Sequence, residues 1–464
     1  MDVTASEVHT IDPSTGATIA GYPAFGPDRI EASIAAAHSA AATWGTRPVG
    51  ERCALLARLA GVLRTDADSL AALVVREMGK PWVQATAEIE KCARTAEYYA
   101  ANAEAALTQE RIGIGGADAS VAHEPVGVVY AVMPWNFPFW QVLRFSIPAL
   151  AAGNTVLLKH SPNVTGCALE LEEVLRRAGF PAGVLTALVI AEGDVARVSG
   201  EIIADDRVAA VTLTGSNAAG AAVGAAAGRA VKKSVLELGG SDAFVVLDDA
   251  DLERAAIAAV ASRFQNAGQS CVCAKRFLVA SSVAEEFTRL VVRSTEELVV
   301  GNPFTPGVDV GPLARADLRA NLHRQVVRSV EQGARLLCGG HPLDGPGYFY
   351  RPTVLTGTRP GITAFDEETF GPVAAIATAS TDDALVDLAN ATRFGLGLSI
   401  WSGDEQRALG LARRITTGMA FVNAAVASDP RVPFGGTKRS GHGRELGLAG
   451  LREFTTTRTY WVAR

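Results

Sequence analysis

Cys271 closes the run Phe264-Gln265-Asn266-Ala267-Gly268-Gln269-Ser270-Cys271, which reads as a helix end followed by a small polar turn that presents a thiol. Upstream stand Leu236-Glu237-Leu238-Gly239-Gly240 and, further back, Pro134-Trp135-Asn136-Phe137-Pro138. A thiol to attack a carbonyl, a carboxylate to deprotonate water and an amide to meet an oxyanion are the groups that acyl chemistry through a thioester requires. Each has a plainer reading when taken singly. Cysteine is commonly buried, a glutamate is commonly a surface charge, and an asparagine in a turn commonly bonds local backbone. Cys271-Val272-Cys273 adds a redox reading, because a bridge between residues so close in sequence is strained and easily reduced; the alternative for Cys273 is a small core residue.

These groups must be carried by alternating helices and strands. Residues 28–44 and 51–64 keep helical apolar spacing, with Leu55, Leu56, Leu59, Val62 and Leu63 on one stripe. Residues 126–133, 155–158 and 208–213 are short valine-rich runs separated by helical segments such as 165–177, the pattern of a parallel sheet covered on both faces. A second such series starts at residues 243–247 and continues through a helix at 252–266 and a strand at 276–280. Gly239-Gly240 suits a turn between two α/β units. The alanine-rich residues 218–230 read as a closely packed helix. No Gly-x-Gly-x-x-Gly follows any predicted strand. Thr214-Gly215-Ser216 does follow one and opens that helix, so it is either a phosphate-binding turn or a simple N-cap.

A chain of 464 residues implies two or three domains. Its net charge of −6 comes from interspersed charges, which argues against nucleic acid as a partner. No apolar run approaches a membrane span and the N-terminus lacks the regions of a signal peptide, so a cytoplasmic location is expected. Six cysteines without zinc-ligand spacing imply neither a disulfide framework nor a metal site.

Together the three catalytic motifs resemble the aldehyde dehydrogenase superfamily from about Pro13 to Phe454. The resemblance implies a Rossmann-like cofactor domain (1–110 and 125–238), a catalytic α/β domain (239–440) and a small β oligomerisation element (111–124 and 441–464), assembled as a homodimer or homotetramer. It implies Cys271 as nucleophile, Glu237 as the base that activates water, and Asn136 with a Cys271 backbone N–H as oxyanion donors. For the dinucleotide it implies Gly215 and Ser216 at the pyrophosphate, Lys159 at the adenine-side ribose, Trp135 along the phosphates, and Glu368 with Phe370 at the nicotinamide end. Members committed to NAD often have a glutamate three residues after this lysine; here Pro162 stands there, so NADP and NAD both remain open. Arg144, Ser428 and Phe434 resemble the substrate-side positions of succinate-semialdehyde dehydrogenases, in which an arginine grips a distal carboxylate. A second arginine that some members carry before the nucleophile is Gln265 here, which leaves glutarate semialdehyde or a neutral aldehyde open. A coenzyme-A-acylating relative does not need Glu237, and a non-catalytic member would be expected to have lost one of the three catalytic groups.

Overall fold

The computed structural model describes residues 7–464. Five parallel strands make most of the first sheet, in the order Lys233–Glu237, Val208–Thr214, Val128–Met133, Thr155–His160, Leu185–Ala187, with Gly441–His442 added antiparallel at the Lys233–Glu237 edge. Val128–Met133 comes first in the chain yet sits inside the sheet, and the connections run outward from it in both directions. Such a reversal of strand order leaves a crevice beyond the carboxyl ends of the two strands that flank it, the usual place for a ligand in an open α/β sheet. The strands are buried on both faces, as continuous apolar runs require.

The second sheet runs Arg335–Cys338, Thr353–Thr356, Val373–Ala379, Ala274–Ala280, Asp242–Val246, Gly397–Trp401, Met419–Val422, and is parallel apart from Arg335–Cys338. Its core packs Phe244 against Phe277, Phe287 and Trp401. A third, antiparallel sheet joins Glu110–Ile114, Ala117–Pro125 and Thr455–Ala463, with the last strand at its edge and mostly exposed. Among the described residues no helix is long and apolar enough to cross a membrane.

Two sequence expectations are corrected. Residues 441–454 do not belong with the third sheet: Gly441–His442 completes the first sheet, and Leu451 and Phe454 join the core around the helix Trp140–Ala152, where Phe454 meets Phe145 edge-on at 6.4 Å. Leu451 lies on the short helix Gly447–Glu453, and burial of its apolar face draws the segment there. The helix expected over 252–266 is Leu252–Phe264, because Asn266 and Ala267 both take φ of 52° and cannot continue an α-helix.

Candidate active site

The carboxyl ends of the first sheet's strands and the amino ends of the second sheet's strands converge on Cys271. Met133 leads into Pro134-Trp135-Asn136, Thr214 into Gly215-Ser216, and Glu237 ends its own strand. Opposite them, Cys271 precedes Ala274–Ala280 and Glu368 to Phe370 precede Val373–Ala379. A cavity of about 420 Å³ lies between the two and is lined by Asn136, Gly215, Ser216, Glu237, Cys271 and Glu368, with Trp135 and Phe370 on its wall. A second cavity, also of about 420 Å³, is lined by Arg144, Ser428, Phe434 and again Cys271. The thiol therefore stands where the two hollows meet.

The nucleophile loop is held by a shell of polar contacts. Gly268 has φ of 72°, and a Cβ there would collide with the Gly371 carbonyl. Asn266 Nδ2 donates to the carbonyls of Asn136 (2.7 Å) and Gln269 (3.2 Å), and Gln269 Oε1 accepts from the Ala314 amide at 2.9 Å. The buried Arg263 guanidinium donates to the carbonyls of Gly268, Thr369 and Ala274. Lys275 Nζ donates to the carbonyls of Ser270 (3.0 Å) and Cys271 (2.9 Å). Left-handed backbone at two non-glycine residues persists only where its surroundings enforce it, and these contacts do so.

Burial pushes the Cys271 thiol up to about 12; Arg144 and Lys275 oppose the shift, while Glu237 and Asp242 add to it. Burial likewise holds the Glu237 carboxyl well above the usual carboxylate range, and the negative Glu445 reinforces this. Neither Glu237 oxygen has a hydrogen-bond partner of normal geometry among the described residues, although the Gly436 amide and the Arg144 and Arg444 guanidiniums favour its charged form. A buried, unpartnered carboxyl in the same cavity as the thiol is suited to taking a proton from a water that approaches the reacting centre. Asn136 Nδ2 gives one N–H to the Gln269 carbonyl at 3.0 Å, which leaves its second N–H free.

Around the first cavity, Ser216 caps the helix Asn217–Arg229 by accepting from the Ala219 amide at 3.2 Å, so its O–H remains a donor. Both readings of this turn are therefore compatible. Glu368 Oε1 accepts from the Gly240 amide at 3.0 Å and lies 3.5 Å from Lys275 Nζ. Trp135 and Phe370 stand edge to face at 5.7 Å. Lys159, the last but one residue of the strand Thr155–His160, has no carboxylate within ion-pair distance among the described residues, and burial lowers its ammonium to about 8. An unpaired ammonium, a helix start and an open strand crossover fit an anionic dinucleotide.

The substrate-side groups Arg144, Ser428 and Phe434 all line the second cavity with Cys271, and each already has a partner within the protein. Arg144 is buried, but its Nε is already engaged by Glu445, its Nη2 lies 3.4 Å from Thr214 Oγ1, and its guanidinium stacks over Phe434 at 4.4 Å. Its charge is thus balanced by Glu445, while among the described residues Nη1 makes no hydrogen bond and Nη2 only the long one to Thr214. Ser428 Oγ accepts from Lys91 Nζ at 2.6 Å. Cys273 is not brought into the site: it is fully buried, lines neither cavity, and its Sγ donates to the Ser270 carbonyl at 2.9 Å. All six cysteines are free. In this arrangement Cys273 packs as a small buried residue. Lys91, Glu445, Lys275, Asn266 and Arg263 were not singled out by sequence. Among the described residues no group of three or more His, Cys, Asp or Glu is placed to hold a metal ion.

The chain belongs to the aldehyde dehydrogenase family, whose model matches residues 2–460. It is 45% identical to the NADP(+) succinate-semialdehyde dehydrogenase 1 of Mycobacterium tuberculosis, over 98% of this chain and all of that protein. It is 45% identical to the NAD(P)+ succinate semialdehyde dehydrogenase Sad of Escherichia coli K12, over 99% of both. The crystal structure of succinic semialdehyde dehydrogenase from Streptococcus pyogenes, in complex with NADP+, superposes with a TM-score of 0.95 at 35% identity, covering 98% of this chain and all of that one.

Proposed function

We propose that this protein oxidises succinate semialdehyde to succinate with NADP or NAD, using Cys271, Glu237 and Asn136. The observation that carries the reading is the position of Cys271 at the junction of a dinucleotide-compatible crevice and a second hollow with cationic side chains on its wall. The names of the relatives support both the aldehyde and the cofactor pair.

Cys271, as thiolate, attacks the aldehyde carbon. The carbonyl oxygen becomes an oxyanion and is met by the free Asn136 N–H and the Cys271 backbone N–H. Gly215, Ser216, Lys159, Trp135, Glu368 and Phe370 would hold the dinucleotide, which when bound supplies the hydride acceptor. Glu237 then takes a proton from the water that cleaves the Cys271 thioester, the acid leaves, and the thiolate is restored. A carboxylate placed for this task favours hydrolysis over transfer to coenzyme A.

The exposed edge strand Thr455–Ala463, with Tyr460, Trp461 and Val462 uncovered, supports a homodimer or homotetramer. A cytoplasmic location agrees with the sequence. The pairing of Arg144 with Glu445 favours one competing reading, a neutral aldehyde. Initial rates with succinate semialdehyde and butanal, each with NADP and NAD and with coenzyme A added or omitted, test these together. A higher kcat/KM for succinate semialdehyde and a free acid as product are expected; equal values for the two aldehydes would return the substrate to a neutral one.

A further inference from the structure

The second cavity contains a cation that the ion pairs of the fold leave uncommitted. Lys91 lies on the long helix Trp82–Ala106 and lines this cavity, as Cys271 does. Its Nζ stands 2.6 Å from Ser428 Oγ and 4.4 Å from the Trp140 ring centre. No carboxylate lies within ion-pair distance of it among the described residues, and the acidic groups nearest to it are committed elsewhere. Glu88, on the same helix, is paired with Lys80 and accepts from the amides of Phe139 and Trp140, both at 2.9 Å. Asp429, on the loop that carries Ser428, takes both its oxygens to Arg431 at 2.8 and 2.7 Å. The other charges facing Lys91 are cations, Arg144 across the cavity and Arg94 on its own helix, and Cys92 beside it is a buried thiol.

A partly desolvated ammonium that lacks a counter-ion is an anion site when it also borders a cavity. Arg144, the cation that sequence would choose, has its charge balanced by Glu445. We propose that Lys91, with Ser428, is the group that receives the distal carboxylate of the substrate, while Arg144 positions Glu445 and the cavity wall. This rests on the semialdehyde reading above and changes which residue sets it. The ammonium keeps two N–H donors beyond the one given to Ser428, enough to take a carboxylate oxygen together with the Ser428 hydroxyl.

Burial and the neighbouring Arg144 lower Lys91 to about 8. Its charge, and with it the advantage of a carboxylate-bearing aldehyde, therefore declines as pH rises through that value. Butanal has no distal charge and does not follow this decline.

The test compares wild type, Lys91→Met and Lys91→Arg. In Lys91→Met the ratio of kcat/KM for succinate semialdehyde to that for butanal should fall about 10- to 100-fold, the range of a hydrogen bond to a charged group. The ratio should decline above pH 8 in wild type and lose that dependence in Lys91→Met. Lys91→Arg should keep most of the preference and hold it to higher pH. Succinate, added as an inhibitor of butanal oxidation, carries the same carboxylate whatever the natural aldehyde is, and its inhibition constant should rise about tenfold or more in Lys91→Met. An unchanged ratio, or a succinate constant unaffected by Lys91→Met, would overturn the assignment of Lys91. A wild type that prefers butanal but whose succinate constant still depends on Lys91 would overturn the substrate reading alone.

Discussion

Arg144 and Glu445 form an ion pair whose side chains are 2% and 1% exposed, and the pair stands within electrostatic reach of Glu237. Glu445 opposes ionisation of Glu237 and Arg144 favours it, so the pair tunes the base from both sides. Removing one partner leaves the other as a buried, uncompensated charge, at a cost of about 3–5 kcal/mol.

Glu445→Gln should therefore lower stability by an amount of that order, read as a reduced midpoint in urea. It should also lower the pKa of Glu237, because a like charge disappears and Arg144 is freed. The acid limb of the kcat profile should then move to lower pH. An unchanged limb would show that Glu445 does not act on the base. Arg144→Leu strands Glu445 instead, and should move the limb to higher pH for succinate semialdehyde and butanal alike, with less loss of preference between them than Lys91→Met produces.

Glu237→Gln separates the two half-reactions. It should give a burst of about one NAD(P)H per Cys271 and then stall as a thioester. Steady-state rates near those of wild type would mean that another base operates. The same variant changes the pH dependence of stability. Glu237 binds its proton more tightly when folded than when unfolded, so its contribution is fully present below the unfolded value near 4.5 and is lost as pH rises towards the raised folded value. Glu237→Gln should lose less stability over that rise, as measured by urea midpoints at successive pH values.

Cys271, held up to about 12 by burial, should be protonated at neutral pH when no ligand is bound. Its alkylation by iodoacetamide should accelerate about tenfold per pH unit from pH 6 to 9 with no plateau, since only the thiolate reacts. A plateau near neutrality would indicate a resting thiolate. Cys271→Ala should abolish both alkylation at this position and aldehyde oxidation.

Much of this site was legible because its pieces are local. The helix Thr165–Arg177 begins and ends where the apolar pattern does, and the turns after Met133, Thr214 and Glu237 follow strands that valine-rich runs announce. What the sequence concealed depends on distant partners. The Arg144–Glu445 pair spans 301 positions, and no spacing rule connects them. Lys91 carries no signal of its own because Trp82–Ala106 is rich in alanine, so its apolar periodicity is weak and one lysine on it reads as part of a solvated face. The left-handed turn at Asn266 and Ala267 has no glycine signature at either position; local bonds involving Arg263 and Gln269 enforce it together with the bond from Asn266 to the Asn136 carbonyl, 130 positions away.

Cofactor choice can be addressed at Pro162, which opens a short turn two residues after the strand that carries Lys159. Pro162 lines a hollow of about 580 Å³ shared with Asn163, Glu192 and Arg315, and Arg315 also borders the crevice of Cys271. If the adenine-side ribose lies against Lys159, a 2′-phosphate meets no carboxylate from residue 162 here. Pro162→Glu supplies one, and a like-charge contact of this kind costs several kcal/mol. The ratio of kcat/KM with NADP to that with NAD should fall at least ~10-fold in Pro162→Glu, about 1.4 kcal/mol per factor of ten. Pro162→Ala is the control for loss of the ring, and should leave the ratio within about threefold of wild type, as expected for a neutral surface change of a few tenths of a kcal/mol. Lys159→Met should weaken both cofactors, and NADP more, because the ammonium attracts every phosphate near it but a 2′-phosphate most. A ratio unmoved by Pro162→Glu would place the 2′-phosphate away from this turn and leave discrimination to Lys159 alone.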